Sequence, residues 1–468
     1  MKYRKLGIGS IFIFLWGGIA VGRSFCTPLF YSIEMDGIAL GYIKMEGGRT
    51  ESGWAFRETG LVTVGIMGGR RFATFSSETF ATKRFRVKEY RISVSSTGFS
   101  TEIRCKREKD RIIRSISSPP ATPKVQSFKV PPRTLIADGN SAGHFLLLSK
   151  AARGEVEIFD PFLGERSRVR ISDGGIRSIR VMGKERNCKV ALVDEKMEIW
   201  TDLSSGDLVM VLMPSQRITM RLSEGNVVER MAISDISSKL FYPSNLPIPS
   251  EAERISVMIK AEYLVGLPKA EDLNTRNQSF KGKMEKGWIE GVVETRLVPY
   301  EGGSAPNFPI PYDEKYLSPS IFIESDDPEI KAKALELSSG SMNAWDAALA
   351  IGRWIHENIK YEIAENPSAK AALLTRRGDC GSHATLAVAM MRSIGIPARI
   401  VGGLLYTGLY GGSFGQHLWI EVYMGSDGWI PMDPTTGEYG SISVGHIKLF
   451  SDMGFVIPKE IRVVMDSK

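Results

Sequence analysis

The chain has 468 residues, of which 43% are hydrophobic and 24% are charged, and its formal net charge is +7 at pH 7. These values are ordinary for a globular protein, and the length allows about two to four domains. The positive charge favours acidic partners such as anionic lipid head groups or cell-wall polymers, whereas no basic run with interleaved aromatic residues supports a nucleic-acid-binding protein.

The N-terminus has the pattern of an export signal. Lys2, Arg4 and Lys5 precede an apolar stretch at 6–22, which is the order of regions in a secretory signal peptide. We therefore predict a signal peptide or anchor at 1–22 and an exported protein of the periplasm or cell envelope. Cleavage is favoured over an uncleaved membrane anchor, because the apolar stretch is near the shortest length that spans a bilayer.

Residues 23–250 predict a large antiparallel β domain. Alternation of apolar and polar residues recurs along this region, and Asp36-Gly37 and the stretch 204–207 are hairpin signals. No long helical period appears in it. We interpret His144 as a surface or packing residue, because no supporting acid or thiol stands out around it.

Proline clusters divide the remaining chain. The cluster at 242–253 indicates a boundary, after which we predict connecting strands at 251–310. The stretch 311–468 then predicts a compact domain with helices. Its first helix is expected to begin at Asp327-Pro328, with the aspartate as cap and the proline at the first helical position. Ser341 is expected to start a second helix.

Cys380 is the first candidate catalytic residue. It follows Asp379 and precedes an apolar run at 384–394 whose spacing predicts a buried helix. With Asp379 as the N-cap, Cys380 would lie in the first turn, where free backbone N–H groups and the helix dipole favour an anion. A thiol there loses its proton more readily than free cysteine does. The competing interpretation is an inert buried cysteine.

His417 and Asp433 lie near opposite ends of a predicted hairpin. His417 begins one strand, the stretch 425–428 predicts the turn, and Asp433 ends the returning strand. A regular register would place Asp433 opposite Ile420 rather than His417, and a bulge at Pro431 would correct this. The residues Cys380, His417 and Asp433 match a thiol nucleophile, its imidazole base and a carboxylate that fixes the imidazole tautomer.

The same stretch resembles the transglutaminase-like superfamily, a set of papain-related cysteine enzymes that includes bacterial envelope members. The resemblance covers roughly residues 318–450. It rests on four motifs: Gly378-Asp379-Cys380, Gly395-Ile396-Pro397-Ala398-Arg399, His417-Leu418-Trp419-Ile420-Glu421-Val422 and Trp429-Ile430-Pro431-Met432-Asp433-Pro434-Thr435. Departures from the family pattern are small, with Leu418 in place of a common alanine and Ser382 in place of a frequent glutamate.

The resemblance implies an α+β fold: a papain-like transglutaminase core of helices and antiparallel sheet, preceded by the large antiparallel β domain. It implies that Cys380, His417 and Asp433 are catalytic and that neither a metal nor an organic cofactor is needed. The expected activity is acyl transfer from a carboxamide or peptide carbonyl of a protein or peptide, followed by hydrolysis or transamidation. Cell-envelope components are the expected surroundings, and no nucleic-acid partner is expected. The alternative is a non-enzymatic envelope protein that uses the fold as a binding cleft.

Several other residues have weaker signals. Trp419 and His383 are candidates for substrate contact, although His383 also fits a supporting role close to Cys380. His446 lies in a stretch that resembles the family, but we assign it no role. Among the four cysteines, no spacing indicates a metal site, and Cys105 and Cys188 could pair in an oxidising compartment.

Overall fold

The structure is a computed structural model. It describes residues 27–66, 69–96, 99–117, 123–139, 141–151, 153–228, 240–265, 268–285, 287–320, 322–363, 368–452 and 454–464. The predicted signal peptide or anchor at 1–22 lies outside the described residues, as does Cys26. Within the described ranges, no helix is long and apolar enough to cross a membrane.

The N-terminal region forms one fifteen-stranded sheet in the order β8 through β1, then β15 through β9. Its strands are β1 (Leu29–Met35), β2 (Ile38–Arg49), β3 (Gly53–Ile66), β4 (Gly69–Thr82), β5 (Val87–Ser96), β6 (Phe99–Glu108), β7 (Arg111–Ser117), β8 (Lys124–Lys129), β9 (Leu135–Ile136), β10 (Gly154–Asp160), β11 (Glu165–Val181), β12 (Lys184–Val193), β13 (Met197–Asp202), β14 (Leu208–Met213) and β15 (Ile218–Ser223). All neighbours pair antiparallel except β9 and β10. The predicted large antiparallel domain is therefore confirmed.

This sheet curves back on itself. Its two edge strands, β8 and β9, follow each other in the chain and are separated by residues 130–134. A flat sheet of this size would be roughly 65 Å wide at about 4.8 Å per strand, whereas the connecting residues span at most about 20 Å. The two edges must therefore come close together, and the sheet encloses an interior.

A helix that the sequence did not predict lies against the inner strands. Helix α1 (Ala142–Ser149) has all eight residues buried. Its sequence is apolar on every side, so it lacks the amphipathic period that would have revealed it. Glu58 on β3 accepts hydrogen bonds from the backbone N–H groups of Ala142 at 3.2 Å and Gly143 at 2.6 Å, which satisfies the helix start.

His144 on α1 was predicted to lack a supporting acid, and the structure corrects this. Asp138, six residues earlier, places Oδ1 3.1 Å from His144 Nδ1. His144 Nε2 lies 3.3 Å from Thr79 Oγ1. The interpretation as a packing residue holds, because both ring nitrogens have partners inside the sheet and the residue is buried.

The C-terminal region contains two further antiparallel sheets and a short parallel pair, β20 with β21. One sheet has the order β18-β19-β17-β27, and the other has the order β25-β24-β23-β22-β26 with β16 paired to β23. The strands are β16 (Phe241–Pro243), β17 (Arg254–Val265), β18 (Gln278–Glu285), β19 (Trp288–Arg296), β20 (Lys360–Tyr361), β21 (Arg377–Gly378), β22 (Ala398–Thr407), β23 (Ser413–Tyr423), β24 (Trp429–Asp433), β25 (Glu438–Tyr439), β26 (His446–Ser451) and β27 (Phe455–Val464).

The strands predicted as connectors at 251–310 pack with the C-terminal region. Strand β17 pairs with β27 at the end of the described chain. Val257 and Ile259 of β17 share a buried cluster with Leu404 and Phe414 of β22 and β23. The domain limits at 310 and 311 therefore stay a prediction, since the hydrophobic core continues across them.

Four helices cover the sheet that contains β22 and β23: α2 (Pro328–Ser338), α3 (Ala344–Asn358), α4 (Ala369–Thr375) and α5 (Cys380–Ser393). The predicted helix start at Asp327-Pro328 is confirmed, because Asp327 accepts hydrogen bonds from the first turn. The next helix is capped by Asn343 rather than Ser341, which lies two residues earlier. The structure is 52% strand and 19% helix, so the α+β prediction describes it only loosely.

Candidate active site

Cys380 is the first residue of α5. Asp379 caps the helix, and its Oδ1 accepts a hydrogen bond from the Ser382 backbone N–H at 3.2 Å. Gly378 has to be glycine, because a Cβ there would meet the Ser382 Cβ at 2.2 Å. The helix start therefore lies where the sequence predicted it, and the partly exposed Cys380 lies in the first turn, at the positive end of the helix dipole.

The pKa of the Cys380 thiol lies below that of ordinary cysteine. Burial raises it, but the hydrogen bond and charge of His417 and a hydrogen bond from the Leu418 backbone N–H lower it by more. The pKa of His417 is raised to about 10, because the effects of Asp433 and Cys380 outweigh burial, which lowers it. This arrangement favours a thiolate beside an imidazolium, which is the nucleophilic form of a cysteine site.

His417 and Asp433 meet across neighbouring strands without a bulge. The pairing of β23 with β24 is regular, with Ile420 opposite Met432. Asp433 lies one residue beyond that pair, on the same face as His417 and diagonal to it, which is within side-chain reach. His417 Nε2 is 2.6 Å from Asp433 Oδ2. The predicted register was wrong by one residue, because Ile420 faces Met432 rather than Asp433, and the pairing contains no bulge at Pro431.

Asp433 is buried and both of its oxygens accept hydrogen bonds. Oδ1 accepts the Thr435 backbone N–H at 2.8 Å, and Oδ2 lies 3.1 Å from His446 Nε2 in addition to its contact with His417. Burial raises the pKa of Asp433, but His417 and His446 lower it by more, so that it lies well below its usual range. The charged Asp433 carboxylate therefore binds His417 Nε2, and His417 Nδ1 is left to bond with the Cys380 thiol.

Residues 331–434 match the family model of the Transglutaminase-like superfamily. The chain contains a transglutaminase-like core. The matched residues include Cys380, His417 and Asp433, so the resemblance seen in the motifs is confirmed for this part of the chain.

Two curated relatives and one solved structure resemble the chain. A protein-glutamine gamma-glutamyltransferase of Pseudomonas aeruginosa is 32% identical over 126 residues, or 23% of this chain and 18% of that protein. An uncharacterized protein of Mycobacterium leprae is 33% identical over 112 residues, or 21% of this chain and 39% of that protein. The chain thus spans less than half the length of either relative. A candidate cysteine protease of Cytophaga hutchinsonii has a TM-score of 0.32 at 19% identity, covering 46% of this chain and 91% of that one.

Both predicted substrate contacts are buried in the transglutaminase-like core. Trp419 is 1% exposed and stacks on His417, with 6.0 Å between ring centroids. His383 Nδ1 lies 2.9 Å from the Asp379 carbonyl, and its Nε2 lies 3.1 Å from the Ile359 carbonyl. Substrate contact stays a prediction for both residues. Their surroundings favour a supporting role, in which Trp419 orients the imidazole and His383 fixes the first turn of α5.

An ionic cluster that the sequence did not predict joins three strands of the core. Glu421 on β23 binds Arg399 on β22 and Lys448 on β26, each with an N–O distance of 2.7 Å. Arg399 also lies over the Trp429 ring at 4.2 Å. Arg399 and Glu421 belong to motifs of the resemblance, but no sequence spacing pointed to Lys448. Losing one member would leave a buried charge without its partner, so the cluster holds β22, β23 and β26 in register.

Among the described residues, His417, Asp433 and His446 form the group whose potential metal ligands lie closest, within 4.8 Å of one another. Two hydrogen bonds to a single oxygen, Asp433 Oδ2, already account for this closeness. Both imidazole nitrogens would have to give up these bonds to bind a cation. We therefore interpret the group as a hydrogen-bond network.

The other described cysteines lie outside the core and are free. Cys105 and Cys188 are buried in the fifteen-stranded sheet, and neither forms a disulfide, so the pairing considered from the sequence does not occur in this structure. Burial raises the pKa of Cys105 to about 12. This thiol is therefore chemically distinct from Cys380.

Proposed function

We propose that the protein is a cysteine acyl-transfer enzyme. The observation that carries the proposal is the position of His417, whose ring lies between the Cys380 thiol and the Asp433 carboxylate. Each pairwise contact serves one step of thiol chemistry, and the three side chains come from three separate elements, α5, β23 and β24. A packing role alone would not need a partly exposed thiol at a helix start.

In the first step, Cys380 Sγ attacks the carbonyl carbon of a carboxamide or peptide bond. The Cys380 backbone N–H, at the start of α5, would donate to the oxygen that becomes negative. His417 gives its proton to the leaving nitrogen as the carbon–nitrogen bond breaks. The products are a thioester on Cys380 and free ammonia or an amine.

In the second step, water or an amine attacks the thioester carbon, and neutral His417 accepts the proton of the attacking group. The carbon–sulfur bond breaks, and the sulfur leaves as the thiolate beside imidazolium. Water gives a carboxylic acid, as in a peptidase or amidase, whereas an amine gives a new amide, as in cross-linking. Both acceptors need the same three residues, so the test below measures both products.

The direct test is mass spectrometry of the purified chain with a glutamine peptide and an isotopically labelled primary amine. We expect a mass increase on Cys380 from the thioester, and peptide products in which the glutamine is hydrolysed or joined to the amine. The Cys380→Ser variant should give neither. If the natural chain gives no adduct and no product with a panel of glutamine and peptide substrates, the non-enzymatic binding protein becomes the better interpretation.

Export and location are also part of the proposal. The charged and apolar segment at 1–22 supports export to the periplasm or cell envelope, by cleavage or as an anchor. Protein or peptide substrates in the envelope would then be the partners. Fractionation of cells that express the whole chain is the test, and a cytoplasmic product that retains Met1 would contradict it.

A further inference from the structure

His446 belongs to the hydrogen-bond network of the core but lies beyond the residues that match the family, which end at 434. It is the first residue of β26 and is 1% exposed. Its Nε2 is 3.1 Å from Asp433 Oδ2. Its Nδ1 is 2.9 Å from Ser443 Oγ and 3.2 Å from the Ser443 carbonyl oxygen.

His446 Nε2 faces the Asp433 carboxylate, which can only accept, and Nδ1 faces the Ser443 hydroxyl and, at 3.5 Å, Glu438 Oε2. When the hydroxyl donates to Nδ1, the neutral ring has its hydrogen on Nε2 and donates it to Asp433. When the ring is doubly protonated, Nε2 still carries a hydrogen. Asp433 Oδ2 therefore accepts one hydrogen from His417 and one from His446.

The orientation of Asp433 does not depend on His446. Asp433 Oδ1 accepts the backbone N–H groups of Thr435 at 2.8 Å and Thr436 at 3.4 Å, in a turn that directly follows β24. These contacts fix the carboxylate plane. What His446 changes is the electron density on Oδ2, because a second donor stabilises the negative charge and weakens its hold on the first donor.

We propose that His446 is a positioning residue that acts through Asp433 and weakens the stabilisation of the His417 imidazolium by the carboxylate. The inference rests on the proposed function, in which the imidazolium must release its Nδ1 proton to the leaving nitrogen. A proton held too tightly makes a poor general acid, because catalysis is most efficient when the acid's pKa lies near the working pH.

The charges around His417 are consistent with this role. Asp433 and Cys380 raise its pKa to about 10, already far from neutral. A further rise would slow proton release, so a second donor on the carboxylate favours turnover. The titratable groups that face His417 and its carboxylate are Cys380 and His383 on α5, Glu438 and Tyr439 on β25, and His446 on β26.

The test measures the pKa of His417 by NMR of the imidazole nitrogens, in the full chain carrying Cys380→Ser. Removing the thiol takes away one cause of the raised pKa and so brings the pKa closer to neutral. Adding His446→Leu should raise the pKa of His417 by about one unit, the size of one hydrogen bond to a charged group. Adding His446→Gln should leave it nearly unchanged, because the amide can donate to Asp433 in the same place.

Ser443→Ala supplies a milder perturbation. Without the hydroxyl, His446 Nδ1 can keep its own hydrogen and donate it to the Ser443 carbonyl, which turns a bare Nε2 toward Asp433. The pKa of His417 should rise, but by less than in His446→Leu. If the leucine variant does not fold, Ser443→Ala tests the inference alone. His356→Leu is the matched control, since His356 Nδ1 binds the Pro434 carbonyl at 3.2 Å and none of the reacting groups.

With Cys380 present, His446→Leu should reduce kcat roughly threefold to tenfold with KM unchanged, and His446→Gln should restore it. The inference is overturned if the pKa of His417 stays constant or falls in both His446→Leu and Ser443→Ala. A drop in thermal stability alone would not support it, because a purely structural role would change only stability. The proposed function fails by a different result, namely Cys380 alkylation that is indifferent to His417→Ala.

Discussion

Among the described residues, two buried aspartates bind histidine, Asp138 in the N-terminal sheet and Asp433 in the core, and only Asp433 lies at a site that can do chemistry. In the N-terminal sheet His144 Nδ1 lies 3.1 Å from Asp138, and in the core His417 Nε2 lies 2.6 Å from Asp433. Each carboxylate also accepts from a second side chain: the Tyr90 hydroxyl for Asp138 and His446 for Asp433. As hydrogen-bonded pairs the two are alike.

They differ in what the other ring nitrogen meets. His144 Nε2 faces the Thr79 hydroxyl at 3.3 Å, inside a sheet that leaves 1% of its side chain exposed. His417 turns its free nitrogen to the thiol of Cys380, and 9% of its side chain is exposed. A histidine–carboxylate pair is therefore a poor sign of catalysis by itself. The nucleophile at an accessible helix start decides the role.

Removing the proposed base, His417, should lower turnover more than any other change and should distinguish the catalytic pair from the packing pair. His417→Ala is expected to lower turnover roughly 10⁴-fold or more, because the thiol loses both its proton acceptor and the proton donor for the leaving group. Iodoacetamide alkylation of Cys380 should slow as well, and its pH midpoint should rise, since the imidazolium that stabilises the thiolate is gone.

The matched control for that experiment is His144→Ala. This variant should alkylate at Cys380 at the natural rate and lose only stability, because buried Asp138 loses its contact with the imidazole and keeps only its other hydrogen bonds, such as that from Tyr90. If His144→Ala changed the alkylation of Cys380 as much as His417→Ala does, the contrast between the two pairs would be lost.

The second largest difference should be in the reactivity of the Cys380 and Cys105 thiols toward iodoacetamide. Burial raises the pKa of Cys105 to about 12, whereas that of Cys380 lies below its ordinary value. At pH 7 the thiolate fraction of Cys105 should be far smaller than that of Cys380, and burial slows the reaction of Cys105 further. Brief labelling of the folded chain, followed by peptide mass spectrometry, should find iodoacetamide on Cys380 and not on Cys105. Equal labelling of Cys380 and Cys105 in the folded chain would contradict the expected difference in thiol reactivity. Labelling in urea is the control, which should show that Cys105 can react once it is exposed.

The sequence predicted the core better than the N-terminal sheet. The Gly-Asp-Cys helix start, the cap at Asp327 and the hairpin between His417 and Asp433 all depend on neighbouring residues, so local rules were sufficient. The diagonal geometry of His417 and Asp433 was not predicted, because the expected register was off by one residue and put Asp433 on the opposite face of the sheet. His446 comes from a strand whose pairing partner, β22, lies about 40 residues earlier, which no local pattern reveals.

The N-terminal sheet was predicted less well from the sequence. Alternation predicted strands, but the two halves of the sheet are joined by the pairing of β1 with β15, nearly 190 residues apart. Helix α1 was missed because it is apolar on all sides, and the partners of His144 were missed with it. The core is recognised by motifs, whereas this sheet is defined by long-range pairing that a single sequence does not encode locally.

Changing the orienting carboxylate should give an intermediate effect. Asp433→Asn is expected to lower turnover roughly 10²-fold or more, because an amide can no longer fix the imidazole tautomer or stabilise the imidazolium. Its effect on alkylation of Cys380 should be smaller than that of His417→Ala, since the imidazole remains beside the thiol. The counterpart Asp138→Asn should leave kcat unchanged. A normal kcat in Asp433→Asn would show that Asp433, like Asp138, is only a packing partner.

The smallest effect should appear in the pH dependence of stability, through Glu58 beneath helix α1. Burial raises the pKa of Glu58 from 4.5 to about 7, although the hydrogen bond from the Gly143 N–H lowers it. The folded chain therefore binds a proton that the unfolded chain releases between these values. The stabilising contribution is fully present below pH 4.5 and is lost as the pH rises through 7.

Glu58→Gln removes this titration. Over pH 4.5 to 7, the unfolding free energy of the natural chain should fall by about 3 kcal/mol relative to the variant. Urea unfolding of the full chain, followed by circular dichroism, measures the difference, because the fifteen-stranded sheet dominates that signal. Alkylation of Cys380 should be the same in both proteins at every pH, since Glu58 lies in the fifteen-stranded sheet, beneath helix α1, and does not contact Cys380. If the unfolding free energies of the natural chain and of Glu58→Gln change with pH in the same way, Glu58 stays charged in the folded sheet, held by the N–H groups of Ala142 and Gly143.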